Sequence, residues 1–320
     1  MAAETLEFIQ TNHFFDQHQD TLQQLGAVVG LPNNFLSSLE TAVALTQPWV
    51  QGDHGHGSYE FNLTAERKTV LQQHFEALDL VEQHDLPAGH YDQILVLGAV
   101  HLGNDKRLRY LRQMMDRGDI TTDRIVMMGG ERKMFQEREP EDVLKSLESL
   151  HAKDYSDGWL TNFMKKPPAE RDETDLLRLA ALDHLGPLAV KQMYLRHGAY
   201  DPSKLTVPHY RSDFEWCKTP VSLTHTELTD RKNGDARHTT EKCIQDWVKI
   251  FEPAPGSTMG FISSQPHLER MVRSARRVLL SLNRDIKLVP GGPGTTLQTG
   301  ETIYLGEVAR SLYEDKEALL

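Results

Sequence analysis

Two short runs carry the atoms that chemistry needs. Thr239 and Glu241 open an amphipathic stretch. The Thr239 hydroxyl is placed to cap a helix, and the Glu241 carboxylate falls in its first turn, beside the positive end of the dipole. Ser264, His267 and Arg270 open a second helix, with His267 and Arg270 three positions apart and therefore on one face. Backbone N–H groups at a helix start, an imidazole and a guanidinium together suit a phosphate or carboxylate. Glu241 and His267 are the candidates to move a proton in hydrolysis or group transfer, with Arg107 and Arg270 holding an anion. Helix capping at Thr239 and an ordinary ion pair from Arg270 account for the same residues without a ligand.

Glycines supply the second class of candidate. Gly98 and Gly129-Gly130 each follow a short apolar run, where open parallel sheets bind ligands outside the carboxyl ends of their strands. Tight packing at the turn from strand into helix is the alternative reading. A dinucleotide fingerprint starting at Gly98 fails at Val100, and a P-loop fails at Asn104-Asp105, where Lys-Ser/Thr is required. Asp53-His54-Gly55-His56 has metal-like H-x-H spacing, but it falls in a glycine-punctuated loop, so no metal is expected there or elsewhere in the chain. Arg132-Lys133 after Gly129-Gly130-Glu131 is a further positive spot.

The elements that must position these residues read as an α/β alternation. Up to about Leu86 apolar residues recur at helical spacing, as in Leu22-Leu25-Val29 and Phe35-Leu39-Val43, with no strand expected before Asp92. Gln93–Gly98, Arg124–Met128, Thr258–Ser263 and Ile286–Val289 read as strands of one mainly parallel sheet, with helices between them. Residues 139–198 read as mostly helical, broken at Pro167-Pro168. The division expected is a helical N-terminal region, 1–86, and one compact α/β domain, 87–320. An apolar patch on the N-terminal helices would instead favour a non-catalytic docking scaffold.

Composition narrows the function classes. A formal net charge of −11 disfavours a nucleic-acid surface, which needs many basic residues against phosphates. The two cysteines, Cys217 and Cys243, form no paired motif and read as reduced thiols. No stretch approaches the roughly 20 apolar residues that cross a bilayer, and the first residues carry no secretory pattern, so a cytoplasmic protein without membrane or nucleic-acid partners is expected.

The order of several short segments resembles the YdcF/SanA/ElyC family. Leu97-Gly98, the arginines Arg107 and Arg109, and Met128-Gly129-Gly130 resemble its first strand, helix and second strand, with methionine where the family has serine. Glu173-Thr174 resembles a helix start, and Thr239-Thr240-Glu241 a second one, with Lys242 where the family has asparagine. Ser263-Ser264-Gln265-Pro266-His267 with Arg270, and Tyr304-Leu-Gly-Glu-Val-Ala-Arg310, match in the same order. The resemblance implies a Rossmann-like three-layer fold binding S-adenosylmethionine or another adenosine-containing or small anionic molecule. On this reading Gly98, Arg107, Gly129, Gly130, Thr239, Ser264 and Arg270 hold the ligand, and Glu241 and His267 are the catalytic candidates.

Overall fold

The computed structural model describes residues 13–50, 63–130, 141–153, 155, 158–186, 189–195, 209–226, 239–295 and 301–318. The chain separates into two compact units: the first comprises Met1–His84, Ser264–Asp285 and Pro293–Leu320, the second Asp85–Ser263 and Ile286–Gly292.

Helices make up the first unit. Its N-terminal part holds α1 (Phe14–Gln17), α2 (Gln19–Val29), α3 (Leu39–Thr46), a 3-10 turn at Gln47–Val50, and α4 (Ala65–Ala77). Ser38 and Thr64 start α3 and α4 as N-caps, each accepting a hydrogen bond from a backbone N–H of the first turn. The spacing legible in the sequence becomes a core: Phe14, Leu22, Leu25, Phe35, Leu71 and Phe75 bury themselves together with Tyr304, Leu305, Val308, Ala309 and Leu312. Those last five residues lie far along the chain. The two helices later numbered α10 (Leu268–Ser281) and α11 (Glu301–Ala318) therefore group with the N-terminal helices, a different division from a boundary at residue 86. Hydrophobic burial follows spatial neighbours, not sequence order.

In the second unit, β1 (Gly89–Tyr91) pairs in parallel with β3 (Ile120–Thr122), giving a small two-stranded sheet where no strand was expected. The main sheet contains β2 (Gln93–Leu97), β4 (Ile125–Gly130), β5 (Ala189–Leu195), β6 (His209–Trp216), β7 (Thr219–Thr226), β8 (Ser257–Ile262) and β9 (Ile286–Gly291). Among the described residues its order is β5-β6-β7-β4-β2-β8-β9. The four expected strands sit side by side and parallel, with Leu97 opposite Met128, Val96 opposite Ile262, and Ile262 opposite Gly291. β7 joins β4 in parallel, whereas β6 and β5 run antiparallel, so the sheet is mixed.

One expectation fails here. β5 falls inside the stretch read as helical. β6 and β7 form a hairpin within a stretch rich in β-branched and aromatic residues, turning at Cys217 and Lys218, both with positive φ. Such two-residue turns usually announce themselves as Asn-Gly or Asp-Gly. Cys-Lys gives no such signal.

Helices flank this sheet. α5 (His101–Asp116), α6 (Glu141–Ala152), α7 (Gly158–Lys165) and α8 (Glu173–Leu185) bury Leu108, Leu111, Val143, Phe163, Leu177 and Ala180 with the strand residues Ile94, Val96, Ile125 and Met127. Leu95 and Val126 alternate onto the other face, as strand geometry requires. α9 (Thr240–Phe251) packs on β4 and β7, and its Trp247 indole donates to Gln93 Oε1 at 2.9 Å. The architecture is an α/β fold with a mixed sheet flanked by helices. Among the described residues no helix is long and apolar enough to cross a membrane.

Candidate functional site

The carboxyl ends of β2 and β4 are shaped by the helix that lands on them. Asp172 caps α8 through a reciprocal box, accepting from Asp175 N at 2.9 Å while its own N–H donates to Asp175 Oδ2 at 3.2 Å. That cap sets Glu173 and Thr174 directly on the strand ends. A Cβ at residue 98 would stand 2.1 Å from Glu173 Oε1 and 2.8 Å from Met128 O, and one at residue 129 would stand 2.7 Å from Thr174 Oγ1. Glycine at 98 and 129 is thus required by the close approach of α8.

Arg107 is buried beneath this contact. Its Nη1 donates to Leu97 O at 2.6 Å and Gly98 O at 2.8 Å, so the guanidinium ties down the end of β2. Burial lowers its pKa to about 10, opposed by the Glu173 carboxylate. Asn104, fully buried, pins the next turn: it accepts from Ala99 N at 2.7 Å and donates to Ala99 O at 2.8 Å.

Thr239 caps α9, its Oγ1 accepting from Lys242 N at 3.1 Å, and Glu241 lies half-buried in the first turn, as the sequence led us to expect. One turn on, burial and then the Glu173 charge push the Cys243 thiol up to about 12. Cys243 also meets Thr226 at the end of β7. The start of α9 therefore shares an edge with Gly98, Gly129, Gly130 and Arg107. Two carboxylates at this edge were not among the sequence candidates, Glu173 and Asp172, both buried. Burial and the neighbouring Asp175 hold the Asp172 carboxyl above its usual range. Their signal was an acidic pair at a helix start, which reads as routine capping.

In the first unit, Ser264, His267 and Arg270 come together at the start of α10. His267 N donates to Ser264 O at 3.0 Å, and His267 is the N-cap residue after a cis Gln265-Pro266 bond. Both basic side chains converge on Glu307 of α11, which is 0% exposed. Arg270 Nε donates to Glu307 Oε2 at 2.6 Å, and Arg310 Nη1 donates to Oε1 at 2.6 Å. His267 Nδ1 lies 3.0 Å from the same Oε1, an ion-pair distance without hydrogen-bond alignment. Burial works to raise the Glu307 pKa, yet Arg270, His267 and Arg310 together hold the carboxylate well below the usual range.

The network continues along the helix pair. Arg273 Nη1 donates to Asp315 Oδ1 at 2.5 Å, and Asp315 Oδ2 accepts from the backbone N–H of Phe15 at 2.7 Å. His267, Arg270, Arg273, Glu307 and Asp315 form a buried polar cluster with the composition of a catalytic or ligand-binding pocket. His267 differs from its neighbours in exposure. Its Nδ1 faces the buried carboxylate, while the side chain as a whole is 31% exposed. Glu307, Arg273 and Asp315 were not among the sequence candidates.

The sequence candidates therefore divide between the units: Gly98, Arg107, Gly129, Gly130, Thr239 and Glu241 in the second, Ser264, His267 and Arg270 in the first. The His54/His56 loop and Arg132-Lys133 lie outside the described residues. No family model, no curated protein and no solved structure matches this chain.

Proposed function

We propose that the chain is a hydrolase or transferase acting on a small anionic molecule, with His267 as its acid–base group and Glu307 as the residue that positions it. One observation supports this reading above the others: a buried, ionised carboxylate sits against Nδ1 of a histidine whose ring still reaches solvent. The negative charge in that place favours a proton on Nδ1 and leaves Nε2 to exchange a proton with water or an acceptor hydroxyl, and a small turn of the ring would align Nδ1–H on the carboxylate. In the proposed step Nε2 takes the proton of the attacking O–H as the new bond forms. It returns that proton to the leaving group as the old bond breaks, so the histidine ends as it began. Arg270 and Arg310 serve by holding Glu307 ionised, and Glu241 is the alternative proton carrier.

The resemblance to the YdcF/SanA/ElyC family and the parallel run of β4, β2, β8 and β9 support a Rossmann-like reading of the sheet. They also support including adenosine-bearing ligands, S-adenosylmethionine among them, in the search. The test is a turnover and thermal-shift panel of phosphomonoesters, phosphoanhydrides, sugar nucleotides and S-adenosylmethionine. For a substrate so found, His267→Ala should lower kcat/KM by about 100-fold or more with the fold retained. Full activity in that variant, or no turnover across the panel, would count against the proposal.

A further inference from the structure

Away from the residues discussed so far, α5 and α8 bring together a second set of ligating groups. Asp105 stands in the second turn of α5, and Asp183 and His184 are consecutive near the end of α8. One carboxylate oxygen from each aspartate and one imidazole nitrogen all lie within 4.8 Å of one another. His184 Nε2 is 2.5 Å from Asp105 Oδ1. The side chains are only 12–16% exposed, so the group is set into the helix surface and still open on one side.

We propose that Asp105, Asp183 and His184 form a binding site for a divalent first-row cation, with zinc the best match. One imidazole nitrogen and two carboxylate oxygens are a zinc donor set, and three protein ligands leave a fourth position for water or substrate. Calcium and magnesium, which favour oxygen donors in larger number, fit it worse. Packed helices supply the rigidity such a site needs. Further partners orient the ligands: Ser149 Oγ donates to Asp183 Oδ1 at 2.6 Å, Lys153 Nζ to the same oxygen at 2.8 Å, and Arg109 Nη2 to Asp105 Oδ2 at 2.7 Å. Lys153 Nζ also donates to the Asp183 carbonyl at 2.9 Å, and Arg112 Nη1 to the His184 carbonyl at 3.3 Å.

Two of those partners are cations that compete with a metal. The Lys153 and Arg109 side chains are 52% and 58% exposed, so both can turn into solvent as the ion enters. The rival account is a plain His–Asp hydrogen bond flanked by surface ion pairs. The two accounts differ in what Lys153 does: beside a metal its ammonium repels the ion, and without a metal it only serves Asp183.

The experiment is a calorimetric titration of the chelator-treated full chain with zinc, with circular dichroism to confirm that each variant is folded. Wild type should take one zinc at this site, and His184→Ala should weaken it by about 100-fold or more. Lys153→Met keeps all three ligands and should tighten binding roughly two- to fivefold. It carries the test even if a ligand variant fails to fold. No zinc uptake by wild type, undiminished affinity in a folded His184→Ala chain, or weaker binding in Lys153→Met would each overturn the proposal. The site makes no use of His267, so it stands or falls separately from the acid–base reading.

Discussion

Replacing Glu307 by glutamine keeps the shape of the side chain and removes its charge. Two guanidinium cations, Arg270 and Arg310, and the His267 imidazole then face an amide, with side chains 17%, 28% and 31% exposed. Removing one partner of a buried ion pair costs about 3–5 kcal/mol, because the remaining charges stay desolvated. Unfolding entropy of about 2.1 cal/mol/K per residue over 320 residues converts this to a fall in Tm of about 4–7 °C if the chain melts as one unit. A first unit that melts alone would fall further, since fewer residues share the entropy.

The pH dependence has a definite sign. The folded-state carboxylate is depressed, so its contribution is fully present above the unfolded glutamate value of about 4.3 and is lost as pH falls toward the folded value. Scanning calorimetry of wild type and Glu307→Gln should show the full gap near about pH 7 and a shrinking one below about pH 4. A gap under about 1 °C at neutral pH would refute the assignment of net stability to this carboxylate. So would a gap that persists unchanged into acid.

Three further outcomes follow from the same geometry. A Cβ at residue 292 would stand 1.6 Å from Ser263 O, so Gly292→Ala should cost about 3 kcal/mol or more in a denaturant titration, with little relief from nearby side-chain truncation because the obstacle is backbone. Thr239→Ala should destabilise the fold by about 1 kcal/mol through loss of the α9 cap, and Thr239→Asn should restore most of it. In native protein at about pH 8 a thiol reagent should label exposed Cys217 and spare Cys243, whose thiol is buried and pushed up to about 12. Two thiols reacting at the same rate would contradict that burial.

The three inner strands β4, β2 and β8 and the edge strand β9 were legible because each is a short, largely apolar run with strand punctuation, the pattern that a sheet covered on both faces demands of its inner strands. The α9 cap was legible from Thr239 alone, since capping is a local interaction. Arg270 shows where locality ends. Its charge and helix face could be read, but its partner is 37 positions away and no spacing rule connects them. A signal did exist on the partner's side: Glu307, Ser311 and Asp315 recur every fourth residue within the stripe of Tyr304, Leu305, Val308 and Leu312, and all are buried. Polar residues inside an apolar stripe announce buried partners without naming them. β5 was read as helix, and the bounds of the β6–β7 hairpin stayed open, because their pairing is decided by neighbours across the sheet. The two glycines at 98 and 129 were identified as special, though the structure accounts for them by the closeness of α8.

The make-up of the first unit has a consequence for the order in which this chain can mature during synthesis. Its core joins Phe14, Leu22 and Phe75 to Tyr304, Val308 and Leu312, while the residues that build the second unit are almost all translated between those two groups. As the chain emerges, the early helices have no late partner, and their apolar faces wait in the open while an entire second core is made. Since domains generally complete as units and N-terminal ones usually lead, this chain inverts the habit: helices translated before the second unit must finish after it. Until α11 is released, Asp315 has no Phe15 amide to hold and Glu307 no Arg270, so a ribosome-stalled chain ending before residue 301 should present exposed apolar helices to chaperones and proteases even with its second unit folded.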